Sequence, residues 1–208
     1  MTGILSRVNW IDIFALILLI KITYASLRIG VGKQILPGVL LLLIVLATFY
    51  GYNRMAIFLV NKFSFSASLA KFICYLFLLI ICSILYRVIG RISKIFFSSE
   101  ESETLGIEKA GGVILGIFRT TLILGLIFTC IMLAPFEFTE KAVTESLSGP
   151  MVIEINLNIY CSVMNLFAGT EYKKVSYGSV LSNILSGKKQ AIKIFDIKKR
   201  SKFFKSNY

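Results

Sequence analysis

The sequence contains no histidine, three prolines, one tryptophan and only 11 acidic residues against 23 basic ones. Without histidine the chain lacks the commonest metal ligand and the commonest general base, which argues against an enzyme and against a metal site. The four cysteines form no Cys-x-x-Cys pair, and Cys74, Cys82 and Cys130 lie inside apolar runs, as packing residues do. We therefore expect no catalytic residue, no cofactor and no metal.

Long apolar runs dominate what is present. Hydrophobic residues make up 56% of the 208 positions and the mean hydropathy is +0.80, which is more apolar surface than a soluble domain of this size buries. Four stretches, at 10–27, 35–52, 72–89 and 110–134, approach the roughly 20 residues that a membrane span needs. The sequence predicts an all-α, polytopic membrane protein with about four transmembrane helices. A cleaved signal peptide is the alternative for the first stretch, but Lys21 interrupts its apolar core.

The same pattern divides the chain into three parts. Residues 1–135 form the predicted four-helix transmembrane domain. Residues 136–168 contain a break at Gly149-Pro150 and then an apolar stretch with Glu154 and three asparagines, which predicts an interfacial amphipathic helix, with a fifth spanning helix as the alternative. Residues 169–208 are polar and then basic, and we expect a loosely ordered tail.

The formal net charge is +12, and eight basic residues lie between Lys188 and Lys205. Beside a bilayer, such a tail favours anionic lipid headgroups over nucleic acid as its partner, since each basic residue near an anionic surface contributes roughly 1 kcal/mol. The loops after the first and third apolar stretches carry more Lys and Arg than the opposite face. The positive-inside rule then predicts that both chain termini lie outside the cytoplasm.

The fourth apolar stretch has the most specific pattern. Gly112 and Gly116 form a Gly-x-x-x-Gly motif, which lets another helix approach closely, either within the chain or in a homo-oligomer. Arg119 follows on roughly the same face, about 13 Å inside the helix. Because a cation at that depth costs on the order of 3 kcal/mol, we expect Arg119 to have a partner, and Glu108 is nearer than Asp12.

Two stretches together resemble the colicin V production (CvpA) family of bacterial inner-membrane proteins. The first combines a Trp-Ile-Asp-like start of helix one with a basic, glycine-containing hairpin. The second is an acidic-basic pair followed by two glycines and an arginine. The matching residues are Trp10-Ile11-Asp12, Gly30-Val31-Gly32-Lys33-Gln34, and Glu108, Lys109, Gly112, Gly116 and Arg119. Thr120 replaces the family's usual glycine, and Ser146 to Pro150 is similar to a short serine-to-proline stretch of the family.

The resemblance implies a multi-pass protein of the bacterial inner membrane that takes part in colicin V production or export and in envelope homeostasis. Our first hypothesis is an accessory or scaffold protein that needs no catalytic residue. The alternative is a small oligomeric channel or transporter for anions or small solutes, in which Arg119, Lys21 and Lys33 line a path.

Overall fold

A computed structural model of the chain describes residues 9–27, 31–63, 65–96, 106–167, 180–182 and 184. Helices account for almost all of them, and no strand occurs within these ranges. The predicted all-α fold is confirmed. Up to residue 167, the described ranges contain six helices: α1 (Trp10–Leu27), α2 (Val31–Phe63), α3 (Ala67–Phe96), α4 (Gly106–Leu133), α5 (Glu137–Glu145) and α6 (Ser148–Phe167).

Three of these helices contain segments that are long and apolar enough to cross a membrane. The segments are Gln34–Phe63 in α2, Ala67–Arg91 in α3 and Ala110–Leu133 in α4. The chain is therefore a multi-pass membrane protein, as predicted. Helix α1 has 18 residues, about 27 Å of helix, and exposes large apolar side chains along its length. Its place as the fourth span stays a prediction.

Helix α2 is longer than the predicted stretch 35–52. It begins at Val31, so that Pro37 lies in its second turn, and it continues to Phe63. The extension is stabilised by the hairpin with α3, because Ala56 of α2 packs with Ala70 and Cys74 of α3 in a small buried cluster. Hydropathy alone missed this part because Asn53 and Arg54 interrupt the apolar run.

Helix α4 is the centre of the bundle. It contacts α1, α2, α3, α5 and α6, and 44% of its membrane segment is buried inside the protein, against 17% for α3. Leu122 and Phe128 of α4 are fully buried in the main hydrophobic core. The bundle is thus built around α4, whereas α3 presents most of its apolar surface to the surroundings.

Helix α6 packs beside the spans. Ile153 and Leu157 are fully buried, and the Tyr160 ring lies 5.5 Å from the ring of Phe49, midway along α2. Helix α6 is not among the segments that are apolar enough to span a membrane, so the interfacial helix and the alternative of a fifth span both stay predictions. The predicted break at Gly149-Pro150 is instead the first turn of α6, where a proline is tolerated because its missing N–H has no partner within the helix.

The predicted basic tail, 169–208, contains four described residues. Val180, Leu181, Ser182 and Ile184 are helical, and Val180 and Ile184 are buried in the main core. Their spacing puts the apolar side chains on one helix face, so this part of the tail packs onto the bundle. The rest of the predicted tail lies outside the described residues.

Candidate functional site

Asp12 holds together two parts of the chain that are far apart in sequence. It lies in the first turn of α1 and accepts four hydrogen bonds through its two carboxylate oxygens. The Ser148 amide and hydroxyl donate to Oδ1 at 2.8 and 2.6 Å, and the amides of Leu147 and Asn9 donate to Oδ2 at 3.1 and 3.0 Å. The carboxylate therefore caps the start of α6 and the start of α1 at once, where the positive end of each helix dipole favours a negative charge.

The residues around Asp12 fix this corner further. The Asn9 side chain donates to the Ala142 carbonyl of α5 at 3.1 Å. The Ser146 hydroxyl donates to the Val143 carbonyl at 2.8 Å and accepts from the Gly149 amide at 2.9 Å. A side chain on Gly149 would collide with the Val143 carbonyl. Two sequence signals, the Trp-Ile-Asp start and the Ser146 to Pro150 stretch, thus form one structural unit, the Asp12 corner (residues 9–12 and 142–149).

The predicted glycine face of α4 lies against α1 and the start of α2. A Cβ atom added to Gly116 would lie 2.7 Å from both Cβ and Oγ of Ser26, and one added to Gly111 would lie 2.7 Å from Cγ2 of Val31. Gly112 is buried. Real Cβ atoms essentially never approach other atoms this closely. The helices can therefore lie so close together only because these positions lack side chains. Since α1 of the same chain occupies this face at Gly116, a second copy cannot pack there.

Thr120, which departs from the family pattern, is accommodated in this arrangement. It is fully buried, and its hydroxyl donates to the Gly116 carbonyl of its own helix at 2.8 Å. The extra polar group is therefore satisfied without a partner on another helix. The same arrangement occurs nine residues further along α4, where the Thr129 hydroxyl donates to the Gly125 carbonyl at 2.7 Å.

Arg119 is the only charged residue in the membrane segment Ala110–Leu133. Its guanidinium carbon lies 5.4 Å from the centre of the Tyr86 ring of α3. Its Nε is buried and has no hydrogen-bond partner among the described residues. A cation–π contact contributes about 0.5–2 kcal/mol, whereas a guanidinium at the bilayer centre costs about 2.5–3.5 kcal/mol. Tyr86 alone would not offset the cost at the bilayer centre, but Arg119 lies nearer to the start of its membrane segment.

Glu108 is the predicted partner of Arg119. The side chains of Glu108, Lys109 and Lys33 lie outside the described residues, as does Gly30, so these assignments stay predictions. Asp12 and Arg119 are not brought together, because the Asp12 corner lies beyond the end of α4, which is about 20 Å along the helix from Arg119.

Asn156 is a buried polar residue whose role the sequence did not indicate. It has no exposed surface, and its amide nitrogen donates to the Thr121 carbonyl of α4 at 2.9 Å and to the Val152 carbonyl at 3.0 Å. A Cβ on Gly125 would overlap its carboxamide. In the sequence it is one of three asparagines of an amphipathic stretch. The residue that identifies its role is Gly125, a glycine of α4 nine residues after Gly116, which leaves room for a polar side chain.

Possible metal and thiol chemistry finds little support in the described part of the chain. No group of three or more His, Cys, Asp or Glu side chains could hold a metal ion there. Cys74, Cys82, Cys130 and Cys161 are free thiols, and three of them are buried. Their surroundings are those of packing residues.

One protein-family model, described as colicin V production protein, matches residues 11–157. The matched range begins in α1 beside Asp12 and ends in α6 just after Asn156. It includes Asp12 and residues 142–149 of the Asp12 corner, the glycine face of α4 and Arg119. No curated protein and no solved structure matches the chain.

Replacing Asp12 tests the corner. Asp12→Ala leaves the Leu147 and Ser148 amides without their acceptor, and we expect it to destabilise the protein by about 1–3 kcal/mol. The change appears as a lower thermal unfolding midpoint in detergent and as faster proteolysis between α5 and α6. Glu137→Ala, which removes an exposed carboxylate from the first turn of α5, is the matched control. Equal midpoints for the two variants would contradict a structural role for Asp12.

A double-mutant cycle tests the contact between Gly125 and Asn156. Gly125→Ala should lower the unfolding midpoint, by about 1–3 kcal/mol of stability, because the new methyl group overlaps the carboxamide. In an Asn156→Ala background the same substitution should cost markedly less. Gly38→Ala is the control, since a Cβ there meets no described atom within 4 Å. A cost for Gly125→Ala that is the same in both backgrounds would refute the contact.

Proposed function

The chain belongs to the colicin V production protein family, and on this premise we propose that it is an accessory or scaffold protein of the bacterial inner membrane. In this role it supports the production or export of a colicin V-like toxin and the integrity of the envelope. The role requires a stable helical assembly that a secretion system can use, and no chemical step at a side chain.

The observation that carries the proposal is the use of polar groups inside the bundle. The Asp12 carboxylate binds the amides that begin α6, Asn156 binds a carbonyl of α4, and the Tyr75 hydroxyl of α3 donates to the Leu126 carbonyl at 3.1 Å. In lipid, helices gain little from hydrophobic attraction, so hydrogen bonds of this kind and close packing hold them together. These polar side chains fix helices against one another, which is the property of a scaffold.

The channel alternative draws on Arg119, Lys21 and Lys33 together. Lys21 is exposed on α1, and Arg119 packs against Tyr86 of α3. Within the described residues these two cations are not shown to meet, and the side chain of Lys33 lies outside them. An anion path through one chain therefore has less support than the scaffold, and a path between copies needs a surface other than the covered face of Gly116.

A complementation experiment tests the proposal. The chain is expressed in a bacterial strain that secretes colicin V and has lost its own family member, and toxin release is measured as growth inhibition of sensitive cells. We expect the wild-type chain to restore release. Gly116→Leu should reduce it several-fold, because overpacking against Ser26 destabilises the bundle and lowers the amount of folded protein.

Gly38→Leu is the matched control, because a side chain at that position of α2 meets open space among the described residues. It should restore release as the wild type does. Immunoblots of isolated membranes establish that each variant is present. Failure of the wild-type chain to restore release, at a membrane level equal to that of the lost protein, would contradict the proposed role.

A further inference from the structure

The depth of the Arg119 guanidinium follows from both helices that flank it. Arg119 lies nine residues inside its membrane segment, but helix side chains point towards the helix N-terminus, which moves the charge back towards the start of α4. Tyr86, over which the guanidinium lies, is five residues from the end of the α3 segment at Arg91, or about 7.5 Å. The charge is thus about one and a half turns inside the end of the spans, within reach of the headgroup region.

The described charged side chains at this end of α3 and α4 are basic. Arg87 and Arg91 of α3 are exposed one turn apart, next to Tyr86. The described carboxylates are elsewhere: Asp12 and the three glutamates of α5 lie at the opposite end, and Glu154 belongs to α6. The acidic residues between 100 and 108 lie outside the described residues. Among the described residues, the charges nearest to Arg119 are therefore basic, and they favour an anion beside it.

The structure also leaves space for an anion close to Arg119. Gly90 follows Tyr86 by four residues and so lies on the same face of α3, and a Cβ added there meets no described atom within 4 Å. The Nε of Arg119 is buried and has no hydrogen-bond partner among the described residues. The side chain as a whole is only half-buried, so an anion would meet the terminal nitrogens of the guanidinium, which donate to oxygens of one anion.

We propose that the groove between α3 and α4 at Arg119, Tyr86 and Gly90 binds a phosphate group. Arg119 contacts the phosphate oxygens, Tyr86 holds the guanidinium, and Arg87 and Arg91 attract the anion. Phosphate can come from an anionic lipid headgroup or from a soluble phosphate, and both present the same oxygens to the guanidinium. The inference goes beyond the accessory role and does not depend on it, because binding is measured on the isolated protein.

The test uses the purified full-length chain in a maltoside detergent. Native mass spectrometry follows binding of phosphatidylglycerol, with phosphatidylcholine as the zwitterionic comparison and inorganic phosphate as a competitor. We expect phosphatidylglycerol to bind more tightly than phosphatidylcholine. Arg119→Gln should weaken phosphatidylglycerol binding about tenfold, which is about 1.4 kcal/mol. Competition by inorganic phosphate would identify a soluble phosphate as the source, and its absence would identify the lipid.

Two further variants keep the test independent of folding defects. Gly90→Leu fills the groove without touching Arg119 and should weaken binding to a similar extent. Arg54→Gln is the matched control, because Arg54 also lies over a tyrosine ring, that of Tyr50 at 4.4 Å, but near the other end of α2. It should bind as the wild type does. Lipid bound by the basic tail contributes equally to all variants, so the differences report the groove.

Three results would overturn the proposal. The first is phosphatidylglycerol binding that Arg119→Gln and Gly90→Leu leave unchanged. The second is the absence of binding by phosphatidylglycerol and by inorganic phosphate alike. The third is phosphate-specific binding that is absent in the wild type and appears only in Glu108→Gln. That result would mean that the Glu108 carboxylate neutralises Arg119 in the wild-type chain.

Discussion

The close approach of neighbouring helices to the glycines of α4 is the interaction on which the rest of the structure depends. Lipid is as apolar as the helices, so a bundle in a membrane is held by packing at short range and by hydrogen bonds between helices. Gly116 brings Ser26 of α1 against the α4 backbone, and Gly125 makes room for the Asn156 carboxamide of α6. Each glycine therefore determines which helix lies on that side of α4, and together they make α4 the most buried of the three candidate spans.

The Asp12 corner fixes the position of α1 and α6 along each other, which the glycine contacts do not determine. Close packing sets the distance between helices, but it does not determine where a helix begins along its neighbour. Because one carboxylate binds amides at the starts of both α1 and α6, it sets the relative height of the two helices. Arg119 plays no such part, since its described contact is a ring of the exposed helix α3. The Asp12 corner and Arg119 are thus at different ends of α4.

Much of this could be predicted from the sequence, and the reasons for the rest are physical. The extent of α1 was predicted closely, because an apolar run flanked by polar residues marks a helix on its own. Asp12 was identified as a motif residue but its partners were not, since they lie more than 130 residues away along the chain. The burial of Asn156 was not predicted, because it depends on Gly125 of another helix. The end of α2 was missed because it is stabilised by α3, not by its own hydropathy.

The most direct test of this account asks whether the glycine face of α4 is covered by the same chain. Cβ of residue 111 would lie 4.0 Å from Cβ of Val31, within the usual range of about 3.5–4.5 Å for a disulfide. The substitutions Val31→Cys and Gly111→Cys are combined after Cys74, Cys82, Cys130 and Cys161 have been replaced by alanine, and isolated membranes are oxidised. The account predicts a disulfide within the monomer, seen on a non-reducing gel and as loss of both free thiols. Disulfide-linked dimers, with no bond within the monomer, would contradict it.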